Sequence, residues 1–173
     1  MQLHILRRTA CLTIHYDSSN DWLFLDWKGN LTLPLVQEAC LALGTCFLHR
    51  PYPRILNSNE RVTGVSWGVA PWLITDFLPH MTLAGIKHVA WVHAASLLGQ
   101  HMVQTVLHWL PGPQITRFSD MEAASQWLQQ LRPNHERGFI LPTRSLATQT
   151  QLTAVVQELT QRLVAKQPRL AAA

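Results

Sequence analysis

Charge is scarce in this sequence. Asp, Glu, Lys and Arg together supply 14% of its 173 residues, against roughly a quarter in an ordinary soluble domain. So low a charge density leaves little polar cover for the surface. Cysteine is scarce too: Cys11, Cys40 and Cys46 form no CxxC pair and leave an odd count, which excludes a disulfide framework and a cysteine-built zinc site. No apolar run approaches the roughly 18 residues of a spanning helix, and the start MQLHILRRTACLTIHYD lacks the parts of a secretion signal. A cytoplasmic location is the expectation. The net charge of +4 and pI near 9.3 come from scattered residues, among them Arg7, Arg8, Arg50, Arg54, Arg61, Arg117, Arg132 and Arg137. Without a basic run, no nucleic-acid partner is expected.

Catalytic motifs are missing as well. No GxSxG elbow surrounds a serine, and Gly64, Gly68 and Gly85 match neither a dinucleotide-binding nor a phosphate-loop spacing. Nine histidines are present, yet His88 and His93 fall on opposite faces of one strand, and His101 and His108 lie two helical turns apart. No metal, cofactor or catalytic residue is therefore expected.

What the chain does have is apolar residues, at 47%, and seven tryptophans. A length of 173 residues suits one domain with a sizeable core, and so much apolar surface under so little charge points to a protein partner or self-association as a homodimer. Alternation from Cys11 to Tyr16, turn formers at Asp17 to Asp21, and an aromatic run from Trp22 to Trp27 predict an antiparallel hairpin. Thr32 is placed to cap a helix carrying Leu35, Val36, Ala39, Cys40, Leu43 and Phe47. Arg54 to Asn57 reads as a short strand, Ser66 as the cap of a second helix, and Ile86 to Ala94 as a central strand buried on both faces. A third helix over Leu97 to Leu110, a strand over Gln114 to Phe118 and a helix capped by Asp120 complete the order ββαβαβαβα. This is an α/β fold with a mixed sheet of four to five strands, mostly parallel after the hairpin. The domain is expected to span residues 1–132. Residues 133–173 form an extension with one amphipathic helix, Gln149 to Ala165, packed on the domain or on a second subunit.

The candidate site is the polar segment from Asn57 to Ser66, read as a loop at the carboxyl end of an internal strand, where α/β sheets gather ligands. Asn57, Ser58, Asn59, Arg61, Thr63 and Ser66 are its binding residues. Trp67, Trp72 and Trp109, near helix ends, are possible contact aromatics.

Leu-Asp-Trp-Lys-Gly at 25–29, Ile-Leu-Asn-Ser-Asn-Glu-Arg-Val-Thr-Gly at 55–64, Trp72 and Ala-Gly-Ile-Lys-His-Val-Ala-Trp-Val at 84–92 together resemble the STAS-like bacterial proteins related to sporulation anti-anti-sigma factors. These SpoIIAA-like proteins are often grouped with CRAL-TRIO lipid-binding domains. The resemblance covers residues 10–131. It implies a sheet flanked by helices and a regulatory role without catalysis, exerted through a protein partner, or alternatively the carriage of a lipid or other small apolar ligand. An unrecognised enzyme is the third reading. In the phosphorylated branch of that family a serine opens the helix after the third strand. Ser58 and Ser66 are the nearest positions here, and the Asp-x-x-Asp-Ser-Ser-Gly type motif is absent. The resemblance therefore carries over the segment as a site but not the chemistry.

Overall fold

The computed structural model of the chain describes residues 1–80, 83–93, 112–131 and 144–166. Six strands form one sheet in the order of their occurrence: β1 Leu3–Arg8, β2 Leu12–Asp17, β3 Trp22–Leu31, β4 Arg54–Val65, β5 His88–Val92 and β6 Gln114–Phe118. The first three pair antiparallel and the last three join in parallel. The sheet thus has one strand more than the four to five expected. β1 is the addition, an exposed edge whose backbone pairs with β2 although its side chains alternate poorly.

The turn between β2 and β3 is fixed by Asp17, which is fully buried. Its carboxylate accepts hydrogen bonds from the backbone N–H groups of Gln2 and Ser19 and from Asn20 Nδ2. Asp21 takes the left-handed backbone conformation at φ 55° that closes the turn. Tyr16 donates to the Asp21 carboxylate, and Arg50, lying over the rings of Tyr16 and Tyr52, pairs with it at 2.6 Å.

Helix α1, Leu33–His49, connects β3 to β4 with Pro34 in its first turn. Thr32 is its N-cap, but the Thr32 side chain makes no capping bond; its carbonyl accepts from Val36 N–H. The second predicted helix is short and irregular: α2, Val69–Trp72, runs into a π turn at Leu73–Phe77 and a 3-10 turn at Leu78–His80. Gly68, not Ser66, is its N-cap, and no side chain caps it. Ser66 instead offers its carbonyl to Val69 N–H. Gly85, at φ 80°, turns the chain towards β5, which is shorter than the predicted 86–94. Helix α3, Met121–Gln130, is capped as expected, the Asp120 carboxylate accepting from Ala123 N–H. The predicted helix at Leu97 to Leu110 lies outside the described residues.

Successive parallel strands joined by right-handed crossovers place their connecting helices on one face. The core divides accordingly. On one face Leu23, Ile55 and Val89 pack with Val36, Leu43 and Phe47 of α1. On the other, Leu56, Ala90 and Val92 meet Ala124 and Leu128 of α3. Covered on both sides, residues 54–58 of β4 are buried without a break.

Helix α4, Leu146–Lys166, packs on α1 of the same chain, with Leu152, Val156 and Leu159 buried. A Cβ at Gly44 of α1 would stand 3.3 Å from Val156 Cγ2, so glycine lets the two helices approach. Arg144, ahead of α4, donates to the carbonyls of Phe47 and Ala84, and Gln149 donates to that of Leu48. The bonds to Phe47 and Leu48 satisfy carbonyls that the end of α1 leaves open. No described helix is long and apolar enough to cross a membrane.

Candidate functional site

The segment expected as a loop is strand. β4 runs twelve residues, to Val65. Its ladder with β5 stops at Ser58 opposite Val92, while its ladder with β3 continues through Arg61 opposite Lys28 to Val65 opposite Leu31, with two register shifts. Asn, Ser and Gly are turn formers by propensity, but strand propensity yields to pairing context. The result is a parallel ribbon, β3 with β4, reaching past β5 at the carboxyl end of the sheet. Two glycines shape it. Gly29 sits at φ 74°, and a Cβ at Gly64 would stand 2.8 Å from Asn30 Oδ1.

The predicted residues divide between interior and surface. Asn57 is buried on the α1 face, where its Oδ1 accepts from Trp27 Nε1 at 2.9 Å. Asn57 Nδ2 and the Trp91 indole N–H beside it in register are buried without hydrogen-bond partners among the described residues. Ser58 is buried on the opposite face; its hydroxyl donates to the Glu60 carboxylate at 3.2 Å and accepts from Glu60 N–H. Asn59 donates to the Val92 carbonyl at 3.1 Å, closing the end of the β4–β5 ladder. These three serve the sheet's own structure.

Arg61 and Thr63 are exposed on the ribbon, and Ser66 is half-buried. Arg61 grips the Asp26 carboxylate with Nε and Nη2. Ser66 N–H donates to the Leu31 carbonyl, tying the end of β4 to the end of β3. Directly beyond stands Trp67, 94% exposed. Lys28, Asn30 and Glu60 are exposed nearby on the same two strands. Trp72 is half-buried and stacks on Phe77 with ring centroids 6.2 Å apart. Trp109 lies outside the described residues.

Among the described residues no three His, Cys, Asp or Glu side chains cluster closely enough to hold a metal ion. Burial pushes the thiol pKa values of Cys11, Cys40 and Cys46 up, away from the nucleophilic thiolate. Between α1 and α4 lies an apolar cleft lined by Cys40, Phe47, Phe77, His80 and Leu152; its free room is about 20 Å³, roughly one water molecule.

Sequence reasoning missed Arg54. This arginine, 4% exposed, donates to the carbonyls of Leu128 and Asn20 and lies over the Trp22 ring. It ties α3, the β2–β3 turn and β4 together. A lone arginine beside Pro53 carried no signal of this.

No family model matches the sequence, and no curated protein does. Among solved structures, an uncharacterized protein from the DUF3478 family with a SpoIIAA-like fold, from Shewanella loihica, superposes with a TM-score of 0.50 at 19% identity, over 68% of this chain and 91% of that one. Apo-SiaC from Pseudomonas aeruginosa gives a TM-score of 0.41 at 14% identity, over 69% of this chain and 100% of that one. The chain has a SpoIIAA-like fold.

Proposed function

We propose, with the SpoIIAA-like fold as premise, that the chain is a non-catalytic binding module of the cytoplasm that engages another protein at the carboxyl end of its β3–β4 ribbon. The observation that carries this reading is Trp67, 94% exposed at the apex. A large aromatic in water gains little from folding, whereas buried tryptophan dominates many interfaces. Arg61, Thr63 and Ser66 supply the polar rim around it, with Asn57, Ser58 and Asn59 as the framework that holds the rim. Carriage of a lipid draws no support from the α1–α4 cleft, because ligand sites for such molecules span roughly 300–1,000 Å³.

The test compares proteins captured by the tagged chain with those captured by Trp67→Ala, quantified by mass spectrometry from the source cells. Trp67 contributes nothing to the core, so the variant folds with an unchanged melting temperature. A specific partner lost at least about tenfold on Trp67→Ala is the expected result. A partner set retained in full by the variant sinks the assignment of the apex.

A further inference from the structure

Among the described residues, the second face of the sheet is only half covered. The crossover helices α1 and α2 occupy the first face, and α3 lies across β4, β5 and β6. Over β1, β2 and β3 that face carries a row in direct register, Ile5 opposite His15 and His15 opposite Phe24. Ile5 is 54% exposed, and its neighbour on the same face, Leu3, 40%. The His15 ring stacks on Phe24 with centroids 5.5 Å apart. This is the surface of a sheet that in a layered domain would carry a helix.

The charges beside the row decide what fits there. Arg8, opposite Thr13, and Arg61, gripping Asp26 opposite that same Thr13, border it. Two guanidinium groups face one carboxylate, and Arg8 is in no ion pair among the described residues. A second copy of the chain would bring the same positive excess, so self-packing is opposed; β1 also guards its free edge with a bulge at Leu6 and with Arg7 and Arg8.

We infer that the half-open face of β1–β3 docks an acidic amphipathic helix of a partner protein, its apolar side on Leu3, Ile5 and Phe24 and its carboxylates towards Arg8. The helix would lie beside α3 and complete the layer that α3 begins. This surface shares Arg61 with the rim of the Trp67 apex, but its apolar seat of Leu3, Ile5 and Phe24 contains no apex residue, so the Ile5 and Trp67 variants test the two readings independently.

Fluorescence anisotropy with two synthetic amphipathic helices tests it, both with leucine on one face and one with glutamate, the other with lysine, on the opposite face. The glutamate peptide should bind the wild-type chain at least about tenfold more tightly than the lysine peptide, with affinity falling as salt rises. Ile5→Asp and Arg8→Glu should each weaken it about tenfold, while Trp67→Ala leaves it unchanged. Because Ile5 is already half in water, Ile5→Asp keeps the fold, and Leu3→Asp provides a second variant with the same expectation. Equal binding of both peptides, or binding indifferent to Ile5→Asp and Leu3→Asp, overturns the inference. So does a homodimer in native mass spectrometry that Ile5→Asp dissolves, which would make the occupant a second copy. Flotation with phosphatidylglycerol vesicles that depends on Ile5 would make it a membrane, with the same consequence.

Discussion

His15 and His93 hold imidazoles that burial pushes below their ordinary pKa of 6.5. For His15 the Asp26 carboxylate pulls the other way, and Arg8 and Arg61 add to the lowering; for His93 Arg117 adds to it. A histidine whose folded pKa is lowered binds fewer protons folded than unfolded just below pH 6.5. Stability therefore falls as the pH drops through that value and levels off below the folded pKa. Urea midpoints measured from pH 7.5 to pH 5 should decline on acidification, and His15→Gln should flatten part of the decline. A midpoint unchanged over that range, or a slope unaffected by the substitution, would contradict this placement. Arg54 is a buried charged residue whose hydrogen bonds join three elements. Arg54→Ala removes donors from the carbonyls of Leu128 and Asn20, and equilibrium unfolding should register a loss of about 2–4 kcal/mol.

At the scale of elements, α4 is held by an apolar stripe and by two polar anchors at its start. Arg144 and Gln149 donate to carbonyls at the end of α1, and near the other end Arg162 pairs with Asp76 of the π turn at 3.1 Å. The Asp76 pair is exposed, where ion pairs contribute little; the Arg144 bonds to backbone carbonyls are half-buried. Arg144→Ala should lower the melting temperature by several degrees, while Arg162→Ala should leave it within about a degree. If Arg162→Ala proved the more costly, the apolar and Arg144 docking of α4 would be the wrong description. That ordering follows from burial, which sequence alone does not report: the stripe of Leu152, Val156 and Leu159 predicted a packed helix, but not that α1 would be its partner.

For the whole molecule, the legible parts were those where side-chain pattern and backbone pairing agree. The alternation of β2, the aromatic run of β3, the apolar stripe of α1 and the Asp120 cap each leave a local mark, and each element is where that mark puts it. β1 left none, because its existence rests on backbone pairing with β2 and on the Gln2 to Asp17 bond. The far half of β4 was misleading. Asn-Ser-Asn-Glu reads as turn, yet β3 supplies a parallel partner as far as Val65 and overrides that preference. The candidate segment is therefore strand where a loop was expected, and Asn57, Ser58 and Asn59 make hydrogen bonds within the sheet. Trp67, adjoining it, is the residue that faces water.

The central claim is that recognition happens at this apex, and hydrogen–deuterium exchange on the chain, alone and with its captured partner, tests it most directly. Slowed exchange over residues 59–68, absent when Trp67→Ala is used, is the predicted result. Protection confined to other segments, with residues 59–68 exchanging as fast in the complex as in the free chain, would contradict it.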